Sequence, residues 1–207
     1  MAEILILNGS PRAPRSNSKQ YAELFSEQCR AQTKYLAVGR DNQAELCGAL
    51  EDCTDLLLVF PLYADGIPVP LLRALKAFEK QPPKRRPTVS VLINCGFYES
   101  EQNDVAVDMV RQFCRQAGFP FGSALEIGSG EAILGTPFRG SVRRKIKKLA
   151  RAIKTGKHCN LRVTMPIPQG MFVKASTKYW IQYGAKNGVT AEQMATMQIE
   201  DGAQDEA

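Results

Sequence analysis

The stretch "ILILNGSPRAPRSNSKQYAELF", residues 4–25, decides how this chain folds. Four consecutive apolar residues run into Asn8 and Gly9, a serine-rich and proline-interrupted segment follows, and a helical pattern then begins. An apolar run without alternation reads as a strand buried on both faces. Ser16 or Asn17 stands where a helix cap is expected. The segment between is neither a minimal turn nor a linker, so its function has to be found in what it presents to a ligand.

Outward from this unit the same alternation repeats. The pattern predicts strands over 3–8, 33–39, 54–62, 88–96 and within 121–130. It predicts helices over 16–31, 43–53, 70–80, 101–117 and 139–157, with Pro70 opening the third. Apolar strands alternating with helices mean an α/β protein with a parallel sheet covered on both faces. Five such units predict a doubly wound five-stranded sheet in the order 2-1-3-4-5. Residues 1–157 are expected to form this domain, and 158–207 a C-terminal extension.

In such sheets a ligand sits beyond the carboxyl ends of the strands, beside the switch point in strand order. Four loops therefore matter: "NGSPRAPRSNS" (8–18), "PLYADGIP" (61–68), "NCGFYES" (94–100) and "GSGEAI" (128–133). The first ends at a helix N-terminus, where free N–H groups and the helix dipole favour an anion. Ser10, Ser16 and Ser18 add hydroxyls, Asn17 an amide, and Arg12 or Arg15 a charge, a set suited to a phosphate. The plainer alternative is that Ser16 only caps the helix and Ser10 only makes a turn. Neither G-x-x-x-x-G-K-[ST] nor G-x-G-x-x-G is present, which argues against a Walker loop and a dinucleotide fingerprint.

Taken together, "ILNGSPRAPRSNS", "PLYADGIPVPLLRAL" and "NCGFYE" resemble the flavodoxin-like NAD(P)H-dependent FMN reductase and quinone reductase families, over roughly residues 1–155. The resemblance implies that Ser10, Arg12, Ser16, Asn17 and Ser18 hold the FMN phosphate. It implies that Pro61, Leu62, Tyr63, Ala64 and Asp65 lie against the flavin ring, and Asn94, Gly96 and Phe97 along its polar edge. The implied activity is transfer of electrons from NADH or NADPH through FMN to a quinone, azo, nitro or similar small acceptor. The alternative is a flavodoxin-like carrier or flavin-binding module without turnover. No catalytic side chain is assigned, because the flavin carries the chemistry and Tyr63 and Asn94 would only orient it.

Composition narrows the remaining classes. No apolar run is long enough to cross a bilayer, and the opening "MAEILIL" lacks the basic lead of a signal peptide, so a soluble cytoplasmic protein is expected. Six cysteines are scattered without C-x-x-C spacing and His158 is the single histidine; no metal site is expected. The net charge of +6 is concentrated in "RGSVRRKIKKLARAIKTGK" (139–157). There Val142, Ile146, Leu149 and Ile153 recur at helical spacing, the pattern of a helix with a solvated cationic face. Nucleic-acid binding is not expected, since no aromatic residues interleave the charges. In the extension a helix is expected from Val173 to Lys186, stopped at Asn187-Gly188, with Phe172, Tyr179, Trp180 and Tyr183 along it. That aromatic stripe either packs on its own domain or joins a homodimer interface. The acidic end "EDGAQDEA" is expected to be disordered.

Overall fold

The computed structural model describes residues 3–13 and 15–196. Six parallel strands form one sheet: β1 (Glu3–Asn8), β2 (Gln32–Ala37), β3 (Asp55–Pro61), β4 (Thr88–Asn94), β5 (Phe121–Ile127) and β6 (Asn160–Val163), in the order β2-β1-β3-β4-β5-β6. The doubly wound order is the expected one, but the sheet has six strands rather than five. Strand β6 pairs in parallel with β5 from Asn160 to Val163. It is only four residues long, with Leu161 and Val163 alternating with the exposed Asn160 and Arg162, so neither length nor a continuous apolar run marks it as a strand in the sequence.

Helices α1 (Asn17–Gln28) and α5 (Arg139–Thr155) pack together on one face. Helices α2 (Gln43–Glu51), α3 (Val69–Lys80) and α4 (Asp104–Ala117) cover the other. The apolar runs are there to be covered: Leu56 through Phe60 are all fully buried in β3. Leu5, Leu7, Leu56 and Leu58 belong to one core with Leu71 and Phe78 of α3 and Val110 of α4. The apolar stripe of α5 goes inward as its spacing requires, with Val142, Ile146, Leu149 and Ile153 buried, while Arg143, Arg144, Lys147, Lys148, Arg151 and Lys154 stay exposed. Gly118 and Gly156 end α4 and α5 in left-handed conformations, the usual helix stop.

The chain divides into two compact units, 1–165 and 166–207. The sheet thus runs past residue 157, because β6 lies beyond that boundary. Within the second unit, α6 (Gln169–Lys186) turns at Asn187-Gly188 into the short α7 (Ala191–Ala195). Thr190 and Gln193 form a reciprocal capping box, and Met194 lies over Gly184. Tyr179, Trp180 and Tyr183 make a mutual ring cluster, with centroids 5.3–6.2 Å apart, and each is at least two-fifths exposed. The acidic end, 200–207, lies outside the described residues. No helix among the described residues is long and apolar enough to cross a membrane, and no cluster of His, Cys, Asp or Glu among them suits a metal ion.

Candidate functional site

The carboxyl ends of β1, β3 and β4 open into a cleft of about 550 Å³, within the size range of small-molecule and cofactor sites. Asn8, the last residue of β1, is fully buried and anchors the first loop. The Asn8 amide donates to Tyr35 Oη (2.9 Å) and Ser16 Oγ (3.3 Å), and its carbonyl accepts from the Ser10 N–H (3.0 Å). One strand-end residue therefore sets the path of the whole first loop. Gly9 must follow it, because a Cβ there would stand 2.8 Å from Leu71.

Ser16 is the N-cap of α1. Its Oγ accepts from the Lys19 N–H (3.2 Å) and from Asn8, which leaves the hydroxyl proton free to be donated outward. The first-turn N–H groups of Asn17 and Ser18 have no partner within a helix. Ser10 is buried and its Oγ accepts from the Arg12 N–H (3.3 Å), so its proton is also available. Arg12 and Arg15 are exposed at the rim. Ser18 differs. It is buried, and its hydroxyl donates to Asn94 Oδ1 (3.2 Å), so it ties α1 to β4 rather than offering a donor to an anion.

The opposite wall is a two-residue hairpin. Tyr63 and Gly66 exchange both backbone hydrogen bonds (3.0 and 3.2 Å), with Ala64 and Asp65 at the tip in left-handed conformation (φ 46° and 55°). Such a turn normally takes Asn-Gly, and holding Ala and Asp there costs conformational energy. Tyr63 itself is 41% exposed. Strand pairing continues past β3, since the Leu62 N–H donates to the Asn94 carbonyl (2.8 Å).

Ten of the thirteen residues singled out in the sequence line the cleft: Ser10, Arg12, Ser16, Asn17, Ser18, Pro61, Leu62, Tyr63, Asn94 and Gly96. Ala64 and Asp65 sit at the hairpin tip away from the lining, and Phe97 lies beyond it, 53% exposed. Arg15 and Cys95 line it as well. Lys19, Gln20, Glu23 and Glu131 complete it. The first three lie on the first two turns of α1 and could have been found from the cap position. Glu131 belongs to the fifth-strand loop, whose composition marked it, and its carbonyl accepts from the Asn17 amide (3.5 Å).

The cleft is electrostatically mixed, with Arg12, Arg15 and Lys19 against Glu23 and Glu131. Lys19 and Glu23 are 3.8 Å apart and both well exposed. Cys95 is a buried thiol. Burial pushes it up to about 11, against the lowering contacts with the Phe97 backbone and the Asn103 amide, so it stays protonated at neutral pH. Tyr21 is likewise raised, chiefly by burial, and its hydroxyl donates to the Gly130 carbonyl (2.7 Å), anchoring the β5 loop to α1.

No protein-family model matches the chain, and no curated protein matches it either. Solved structures do. An FMN-dependent NADH-azoreductase from Bacillus anthracis, in complex with FMN, superposes with a TM-score of 0.53 at 13% identity, covering 73% of this chain and 98% of that one. The fold is flavodoxin-like. A flavodoxin of Streptococcus pneumoniae matches with a TM-score of 0.56 at 10% identity, over 75% of this chain and 99% of that one. An NADPH-quinone reductase from P. pentosaceus matches with a TM-score of 0.57 at 13% identity, over 72% and 98%. The chain spans only 35% of the rubredoxin oxygen:oxidoreductase of Desulfovibrio gigas, which it matches with a TM-score of 0.59 at 12% identity. At these identities the flavodoxin-like scaffold is shared, and activity has to be argued from the cleft.

Proposed function

We propose that the protein is a cytoplasmic FMN-dependent oxidoreductase that takes electrons from NADH or NADPH and passes them to a quinone, azo, nitro or similar small acceptor. The observation that carries this reading is the donor set at the start of α1. Ser10 and Ser16 with free hydroxyl protons, the first-turn N–H groups of Asn17 and Ser18, and Arg12 and Arg15 all belong to the lining of one cleft. That set fits a phosphate dianion in number and charge.

The rest of the cleft fits a flat ring beside that phosphate. Tyr63, on a rigid hairpin, offers an aromatic face. Asn94, oriented by Ser18, and Gly96 offer polar groups on the facing edge. FMN, when bound, would supply two-electron chemistry, accepting a hydride and releasing electrons to the acceptor. The chain's own residues would bind, orient and keep water from one face.

We also infer a homodimer. Tyr63, Val69, Phe97, Val105 and Met109 are all exposed and lie on the β3 and β4 loops and the adjoining turns of α3 and α4. Isologous contact would bury such a face in both copies, and exposed apolar patches mark interfaces.

Titration of the purified protein with FMN, followed by steady-state NADH and NADPH oxidation with a quinone added, tests the activity. Binding with acceptor-dependent turnover supports the reading. Binding without turnover would leave a carrier, and no binding would overturn the flavin assignment. Sedimentation at micromolar concentration tests the dimer, and a strict monomer would end that idea.

A further inference from the structure

Strand β6 is more than an added edge. Its Arg162 reaches three carboxylates on three different elements. Nη1 pairs with Glu101 (3.3 Å) in the 3-10 turn Ser100–Asn103, Nη2 with Asp104 at the start of α4, and Nε with Glu126 of β5 (3.4 Å). Two residues on, the Thr164 hydroxyl donates to the Tyr98 carbonyl and lies 3.0 Å from Ser129 Oγ. Every one of these contacts except those to Glu126 and Ser129 falls on the segment 98–104, which continues the loop after β4. That loop supplies the cleft with Cys95 and Gly96.

The same segment is tied from inside. Asn103, fully buried, donates to Cys95 Sγ (3.4 Å) and to the Ser100 carbonyl (2.9 Å). The Phe97 carbonyl accepts from the Ser129 N–H, and the Cys95 carbonyl from the Gly130 N–H (2.7 Å). Inner contacts close the loop on itself and on the β5 loop. Arg162 and Thr164 are what fasten its far end to the sheet.

We propose that β6 braces the cleft wall and that Arg162 is its positioning residue, holding the 95–104 segment at the spacing a bound ring requires. The buried partner supports this. Glu126 is 3% exposed, and one oxygen, Oε2, has no hydrogen-bond partner. Burial and the neighbouring Asp104 raise its carboxyl to about 7 against the pull of Arg162. A carboxyl in that position is tolerated because a guanidinium faces it, and the same guanidinium then has two further forks for Glu101 and Asp104. Asp108 and Arg111, also on α4, face the same hollow; Arg111 pairs with Asp108 (2.9 Å) and donates to Asn160 Oδ1 of β6 (3.2 Å), which leaves Arg162 its three acids.

The consequence for ligand binding rests on the flavin reading, but the brace itself does not. Hydrogen exchange on the full-length, ligand-free protein and on Arg162→Met and Arg162→Lys separates the two. Loss of three partly exposed pairs should speed exchange in 95–104 by about three- to tenfold in Arg162→Met, with β1 and β3 unchanged. Arg162→Lys, which keeps charge but not the fork, should fall between. FMN and riboflavin should then weaken by the same factor in Arg162→Met, because the wall contacts the ring and not the phosphate. Unchanged exchange in 95–104, or an equal rise throughout the sheet in both variants, overturns the brace. A wild-type protein that binds no FMN overturns the flavin reading and leaves exchange to decide the brace.

Discussion

Two surfaces of this molecule carry clustered cationic side chains, and they differ in kind. Helix α5 exposes six lysines and arginines from Arg143 to Lys154, more charge than the rim of the cleft carries. Yet its apolar stripe is spent on the core, and it carries no acidic residue and no side-chain cap. At the start of α1 there are only Arg12, Arg15 and Lys19, but hydroxyls and free N–H groups line the same cleft with them. Charge alone raises the local concentration of anions. Several donors on a fixed backbone make a site, because they replace the waters an anion gives up.

The largest effect should come from breaking that donor set. Replacing Ser16 by Ala removes a hydrogen bond to a charged group, worth ~1.5–3 kcal/mol. FMN affinity should drop by roughly ten- to a hundredfold on that scale, with riboflavin far less affected. Replacing Ser18 by Ala should instead weaken both ligands alike, because Ser18 holds Asn94 and not the phosphate. Calorimetric titration with the two ligands reads both outcomes.

Backbone fit gives the next contrast. At Gly9 an added methyl meets Leu71 Cβ and Cδ2 at 2.9 and 2.8 Å, whereas at Gly140 in α5 nothing lies within 4 Å. Gly9→Ala should destabilise by about 1–3 kcal/mol through overpacking. Gly140→Ala should stabilise by up to about 1 kcal/mol through helix propensity. Urea unfolding of the two variants measures the difference in sign.

The Arg162 cluster offers a pH test of a third kind of charge, one compensated and buried. Because the Glu126 carboxyl is raised to about 7, the folded state holds a proton that the unfolded chain releases near 4.5. Its stabilising contribution is full below about pH 4.5 and is lost as pH rises through about 7. Glu126→Gln, which keeps the protonated shape, should lose that slope, so it should gain on the wild type between pH 5 and 8 in thermal unfolding. A constant gap across that range would show that the carboxyl does not titrate there.

The smallest effect is expected on α5. Replacing Arg144, Lys147, Lys148 and Arg151 together by Gln should change FMN affinity less than about twofold at 0.15 M salt, where exposed charges more than ~8 Å away are screened. A tenfold loss would mean that the α5 field reaches the cleft, and the contrast drawn above would fail.

The sequence by itself determined the order of elements, the apolar strands that must be buried, and the loops that line the cleft. The physical reason is that these follow from local signals: unbroken apolar runs in β1 and β3 and the cap at Ser16. Ten residues of the cleft lining were legible for the same reason, since the strand–loop–helix pattern sends those loops to one edge of the sheet. Tertiary structure decided the rest. Strand β6 has only four residues, too few for its alternation to stand out, and its pairing with β5 makes it a strand. Ser18 looks like one more hydroxyl in a serine-rich loop until Asn94, 76 residues away, claims its proton. Glu131 and Arg162 act across similar distances, and a contact between residues remote in sequence leaves no trace in local composition.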